Sequence, residues 1–414
     1  MTHRPGILRR FRFNRPQRIA AGLLALFLVQ GSVLIGRQAL SDRDYEYARC
    51  GREMWEKPSP LAGYFTTCGN IHDGVLAYRL AGLPLTLNLL VERGLDLFRK
   101  QEDRVIQTGP GAGGEVNIWE LRHQLTHISL LLRLPFLAAG CLLGGCLWWV
   151  TRRLFGNRAG YMALGLYCFS PAILRACAAP NAEVLAGLGV FGGIYTCIGV
   201  AHAMQGPKRK WRPRILLLTA IFAVAAASHI VALPLAALCG ILAMLWVAEG
   251  RRSLVLPIVL MASAGALLLL FACYGFSPDA FSYVFRSGSA FLSVSLDPAR
   301  RYFSSLDNAG VTCAAVLAVV LYLILRRSRY FGNTTPLLCA LVFLVLQTTG
   351  TQSSPWLWSL PFLFTFIAGV FADAFDTPGR SRVSIAAASA LVGLQFVFCL
   401  LSLFGPPAWL PGFI

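Results

Sequence analysis

Charge is what this chain has least of. Only 14% of its 414 residues are Asp, Glu, Lys or Arg, where a soluble domain averages about 25%. Acidic residues are the scarcest, 19 against 37 Lys and Arg, for a net charge of +18. Hydrophobic residues reach 56%, and mean hydropathy is +0.61. This balance excludes a soluble enzyme, a disordered chain and a disulfide-stapled secreted domain. No Gly-rich phosphate-cradling pattern follows a strand, and no internal repeat or low-complexity tract is present. The first apolar run lacks an A-x-A-like site after it, so it reads as an uncleaved anchor.

What the sequence has instead is long apolar runs. A membrane span takes about 20 mostly apolar residues. Runs of that kind lie near 19–38, 128–150, 159–176, 183–204, 214–230, 231–248, 254–275, 309–325, 334–350, 355–372 and 383–404, eleven in all. The predicted fold class is therefore an all-α polytopic membrane protein, with 1–414 forming one membrane domain. Basic residues cluster in the short gaps: MTHRPGILRRFRFNRPQR, WWVTRRLFGNR, GPKRKWRPR, EGRRS, RRSRYFG and TPGRSR. These segments and their edges hold 21 Lys and Arg against three acids, Glu249, Asp373 and Asp376. Residues 39–127 hold ten Lys and Arg and twelve acids. The asymmetry is the positive-inside pattern. It places the N-terminus in the cytoplasm and assigns the basic clusters to topology, not to nucleic acid.

Two excursions then lie outside, 39–127 and 276–308. In the first, Leu76, Leu80, Leu83, Leu87, Leu90 and Val91 recur at helical spacing, which predicts interfacial helices lying along the membrane lipid. Pro84 is expected to divide them into two pieces, and TGPGAGGE (108–115) to break the chain before a further piece near Asn117. Ten of the twelve cysteines sit in or at the ends of apolar runs. Cys50 and Cys68 share the outer excursion and either bridge or stay free.

Candidate chemistry starts directly after the first span, in ALSDRDYEYARCGREMWEK. Asp42, Asp44 and Glu46 fall within five residues at the membrane surface. Carboxylates there can deprotonate an acceptor or hold a cation beside a lipid-linked substrate. They also fit a solvated acidic patch balanced by Arg43, Arg49 and Arg52. If the segment is helical, Asp42 and Glu46 share a face and Asp44 lies opposite. Arg133, Arg175, Glu183 and His229 lie at the outer ends of spans, where ionisable groups usually face a cavity or a partner. Arg133 and His229 suit a phosphate; equally, Arg133 and Arg175 can snorkel and His229 can pack. No metal site is read, and a divalent cation is left open.

Residues 131–204 carry a resemblance. R-L-P opens the second span, followed by the basic turn R-R-L-F-G-N-R, S-P at the end of the third span and Glu183 at the start of the fourth. SDRDYEYA, NIHDGVLAYRLAGLPLTL and QSSPWLWSLPFLFTFIAGVF add to it. The chain thereby resembles the bacterial branch of the dolichyl-phosphate-mannose protein mannosyltransferase-like family, among the GT-C glycosyltransferases. The family's D-E dipeptide is spread out here as D-R-D-Y-E, and its H-P-P becomes H-D-G at His72.

The resemblance implies transfer of a sugar from a polyprenyl-phosphate donor to an acceptor, whether protein, lipid or glycan, on the outer face of a bacterial inner membrane. It implies inversion at the anomeric carbon. It favours Asp44 as base, with Asp42 and Glu46 behind it. Arg133, His229, Arg79, His72 and Glu183 are the implied substrate-binding residues. The alternatives are a transporter or lipid flippase, and an inactive family-like envelope scaffold. A transporter commonly shows repeats, and this chain has none.

Overall fold

A computed structural model describes residues 14–56, 71, 74–98, 118–286, 292–348, 355–376 and 381–405. Helices dominate, as backbone in a bilayer requires: each N–H and C=O must be satisfied within its own segment. The first helix, α1 (Arg15–Arg37), starts at Asn14, where the Gln17 side chain accepts from the Asn14 backbone N–H at 2.9 Å. A four-residue link, 38–41, leads into α2 (Asp42–Glu56), and α3 (Val75–Phe98) folds back onto it.

These two helices touch backbone to backbone. A Cβ on Gly82 would lie 2.1 Å from the carbonyl carbon of Gly51, and one on Gly51 would lie 2.2 Å from Tyr78 O. That packing explains a departure from the sequence reading. Pro84 does not divide α3, which runs unbroken through it. Proline removes one helical hydrogen bond, and the contact with α2 offsets that loss. The segment 108–115 lies outside the described residues.

The next helix, α4 (Ile118–Phe155), is 38 residues long and overruns the span read at 128–150 at its start. The span read at 159–176 is broken into α5 (Asn157–Cys168) and α6 (Pro171–Cys177). Ser170 precedes a proline, which drives it from helical to extended backbone. Then come α7 (Ala182–Met204), α8 (Lys208–Ser228), α9 (Ala232–Val247) and α10 (Val255–Cys273). The turn at His229–Val231 divides 208–247 where the sequence suggested.

The second excursion holds α11 (Pro278–Arg286), β1 (Leu292–Val294) and α12 (Asp297–Ser304). It is followed by α13 (Ala309–Ile324) and α14 (Phe331–Val345). The span read to residue 350 stops being helical at Val345. Leu346–Thr348 forms β2, paired antiparallel with β1 so that Ser293 faces Gln347. A 3-10 turn, Pro355–Trp358, leads into α15 (Ser359–Phe375), and α16 (Ser381–Phe404) ends the described chain.

Among the described residues, eight helices are long and apolar enough to cross a membrane, while α9 and α14 are apolar but shorter. The protein is thus an all-α polytopic membrane protein. Its centre is α15, enclosed almost along its whole length by α4, α5, α7, α13, α14 and α16. Short connections make successive helices antiparallel. This brings the ends of α1, α6, α8 and α10 to one end of the bundle, together with α2, α3 and the second excursion. Arg152, Arg158, Arg212, Arg251 and Arg326 lie at the other end.

Candidate functional site

The first turn of α2 is fixed by Ser41 and Asp44. Ser41 Oγ accepts from the Asp44 backbone N–H at 3.3 Å, and Asp44 Oδ2 accepts from the Ser41 backbone N–H at 2.8 Å. This reciprocal box satisfies backbone donors that helix geometry leaves open. The Ser41 hydroxyl donates to the same Oδ2 at 2.9 Å.

Arg133 completes the arrangement from α4. Its guanidinium donates to Asp44 Oδ2 at 2.7 Å, to Ala39 O at 2.9 Å and to Gln38 O at 3.0 Å. Both charged side chains are only 2–3% exposed. One buried arginine therefore ties the end of α1, the link and the start of α2 together. Burial pushes the Asp44 carboxyl pKa up, but the hydrogen bonds from Arg133 and Ser41 outweigh it and hold the pKa below the usual carboxylate value.

The three acids are not equivalent. Asp44 points inward, while Asp42 and Glu46 are exposed. Glu46 Oε1 accepts from the Tyr78 hydroxyl at 3.2 Å. The same face of α2 carries Arg43, whose guanidinium carbon lies 5.7 Å from the centre of the Tyr47 ring. Tyr47 stacks on Tyr78 at 4.2 Å between ring centres. Partial desolvation opposes the Arg43 charge, although the residue stays exposed, and Tyr47, Tyr78 and Glu183 outweigh it and raise its pKa. Glu183 is thus within electrostatic reach of Arg43.

Gly74 lets α3 approach closely. Its φ of 75° is one that side chains disfavour, and a Cβ there would sit 3.3 Å from Ala182 Cβ and 3.5 Å from Ser228 O. The start of α3 is thereby set against the starts of α7 and of the His229 turn. Glu183 is buried in the first turn of α7, its backbone N–H donating to Asn181 Oδ1 at 2.9 Å. His229 is buried edge-on to Trp358, 5.2 Å between ring centres.

The structure therefore brings Asp44 and Arg133 into direct contact and sets Glu46 and Glu183 around Arg43. The remaining candidates are placed differently. Arg79 lies over Trp55 at 5.1 Å and donates to Cys273 O at 2.9 Å, anchoring α3 to the end of α10. Arg175 donates to Ser402 Oγ at 2.6 Å and pairs with Asp307 at 3.4 Å, away from α2. His72 and Cys68 lie outside the described residues. Cys50 is disulfide-bonded, and the ten helical cysteines are free. Among the described residues, no group of three His, Cys, Asp or Glu is placed to hold a metal ion.

Sequence reasoning missed Arg43 as a site residue. Its signal was available: Arg43, Glu46 and Tyr47 stand at i, i+3 and i+4.

No family model matches the sequence, and no curated protein matches it. Two solved structures of the Archaeoglobus fulgidus oligosaccharyltransferase share the fold. One is described as a complex with Zn and sulfate, and has a TM-score of 0.56 and 12% identity over 93% of this chain. The other is tethered to an acceptor peptide containing the NVT sequon, and has a TM-score of 0.56 and 11% identity over 94% of this chain. This chain spans about half the length of those structures, 54% and 56%. At this identity the likeness is one of fold.

Proposed function

We propose that the protein moves a sugar from a polyprenyl-phosphate donor to an acceptor on the outer face of a bacterial inner membrane, with inversion. The observation that carries this reading is Arg43: an exposed cation among two carboxylates and two tyrosines, at the bundle end opposite the arginine-rich connections. With the basic end in the cytoplasm, this cluster lies at the outer interface, the depth at which the phosphate of a membrane-bound donor arrives. The N-terminus then faces the cytoplasm, and the excursions 39–127 and 276–308 lie on the outer side.

The chemistry follows from the charges. An acceptor hydroxyl attacks the anomeric carbon as the bond from that carbon to the phosphate oxygen breaks. Negative charge grows on the departing lipid phosphate, where the Arg43 guanidinium stabilises it. The acceptor proton passes to the exposed carboxylate of Glu46. Asp44, which the resemblance favours as base, is a positioning residue in this reading. Its Oδ2 already accepts from Arg133 and Ser41, and a lowered pKa weakens it as a base. Asp44 and Arg133 instead aim the first turn of α2, and with it Arg43.

The test is reconstitution in liposomes with a panel of radiolabelled polyprenyl-phosphate sugars and membrane extract as acceptor source. The expected result is donor consumption that falls at least ~100-fold in Arg43→Gln or Glu46→Gln, at the level lost with a general acid–base group. Turnover of a nucleotide sugar with no lipid carrier present overturns the donor assignment. Movement of an intact donor across the bilayer, without cleavage, replaces the transferase with a flippase.

A further inference from the structure

A second polar site lies at the same end of the bundle and shares no residue with the cluster on α2. It is a cavity of about 480 Å³ between α6, α12, the start of α13 and β2, walled by Arg175, Arg301, Tyr302, Asp307, Asn308 and Gln347. Three polar atoms in this wall are buried and make no hydrogen bond within the protein: Tyr302 Oη, Asn308 Oδ1 and Gln347 Nε2. Tyr302 and Asn308 are only 4% and 6% exposed. Ser170 Oγ is a near neighbour of Tyr302 Oη, close enough to act on it, but the pair falls outside hydrogen-bond geometry. Buried polar atoms are almost always paired, and three unmade bonds around one cavity require a reason.

The mixture of groups selects the ligand chemistry. Asn308 Oδ1 can only accept, since its amide nitrogen already donates to Tyr302 O at 3.1 Å. Gln347 Nε2 can only donate, and Tyr302 Oη can do either. An anion accepts from Gln347 and Tyr302 but leaves Asn308 Oδ1 unanswered. A cation leaves Gln347 Nε2 unanswered. Hydroxyl groups both donate and accept, so several of them on one rigid ring satisfy all three.

Both arginines already make contacts within the protein. Arg175 is held by Asp307 and Ser402, and Arg301 Nε lies 3.4 Å from Asp297 O. Trp356 also lines the cavity, 5.2 Å from the Tyr302 ring, beside Pro171 and Pro298. That apolar wall suits the C–H face of a sugar.

We propose that this cavity is a carbohydrate-binding site. Its occupant is a neutral, hydroxyl-rich sugar ring, bound through Tyr302, Asn308 and Gln347 with Trp356 as platform. The proposal stands on this cavity alone and does not require the transfer reaction.

The test is saturation-transfer NMR and tryptophan fluorescence on the full chain in nanodiscs. The probes are glucose, mannose, galactose, N-acetylglucosamine and their disaccharides, with inorganic phosphate and sulfate as a separate arm. At least one sugar is expected to bind, and Tyr302→Phe or Gln347→Met should weaken it by about tenfold, the scale of one lost ligand hydrogen bond. The same variants should melt no lower than wild type, because each removes a polar atom that has no partner. Trp356→Phe should abolish the fluorescence response. Absence of binding by every sugar overturns the proposal. So does tighter binding of phosphate or sulfate than of any sugar, which marks an anion site. Unchanged sugar affinity in both Tyr302→Phe and Gln347→Met also overturns it.

Discussion

The sharpest test of the site is Asp44→Asn, because the two roles open to Asp44 predict different outcomes. The asparagine is nearly isosteric, and its carbonyl can still accept from Ser41, so the cap on α2 largely survives. What disappears is the negative charge 2.7 Å from a guanidinium that is 2% exposed. Removing one partner of a buried ion pair costs about 3–5 kcal/mol. The carbonyls of Gln38 and Ala39 remain as partners of Arg133, which puts the expected loss near the lower end, about 3 kcal/mol. The assay is thermal and denaturant unfolding in nanodiscs, run as a double-mutant cycle with Arg133→Met. Each single variant should be destabilised, and the double should recover part of the loss because no unpaired charge is left buried. The pH dependence has a definite sign. A carboxyl whose folded pKa lies below its unfolded value near 3.9 contributes stability at neutral pH, and loses it as pH falls through the folded value. The stability gap between wild type and Asp44→Asn should therefore narrow below about pH 4. An Asp44→Asn protein with wild-type stability whose turnover drops ~100-fold or more refutes the clasp and makes Asp44 the base.

Three further outcomes are expected. Gly82→Ala should be destabilising by about 1–3 kcal/mol or more, because its Cβ would fall 2.1 Å from backbone on α2; unfolding midpoints check this, and a wild-type midpoint would show that α2 and α3 do not pack so closely. Arg43→Lys should keep part of the transfer activity that Arg43→Gln loses, since a point charge serves the phosphate without the fork; equal loss in both would mean the fork geometry is required, and no loss in either removes Arg43 from the site. Cysteines introduced at Arg49 and at Arg212 should label from opposite sides of sealed vesicles, Arg49 from the outside. Labelling of both from one side overturns the bundle arrangement.

The all-α membrane class was legible, though not the count of eleven spans, because a bilayer leaves little choice: about 20 apolar residues in a row make a helix wherever they occur. Hydropathy is blind to what happens inside such a run. It read 334–350 as one span, yet Leu346–Thr348 leaves the helix to pair with β1, a partner more than fifty residues earlier. It read 159–176 as one span, although Pro171 carried a local signal of the break. It treated Pro84 as a divider, when the Gly51–Gly82 contact that keeps α3 whole joins residues 31 apart. In each case a long-range contact or a local backbone rule decided the outcome, and composition did not register it.

The site shows the same division more sharply. Three acids after the first span drew attention by density, and helical periodicity correctly set Asp44 opposite Asp42 and Glu46. Periodicity could not say which face is buried. That depends on Arg133, 89 residues away, whose R-L-P context gave no hint of a partner on α2. Once Arg133 claims Asp44, the rotation of α2 follows: Tyr47, Cys50 and Met54 turn inward with Asp44. Arg43 and Glu46 are left on the face toward Tyr78 and Glu183. The same ion pair that withdraws Asp44 from solvent therefore delivers a cation and a carboxylate to the open side of the helix. A sequence reading that counted Arg43 as a counter-charge to the acids had the right residues, but it lacked the rotation that makes Arg43 the centre of the cluster.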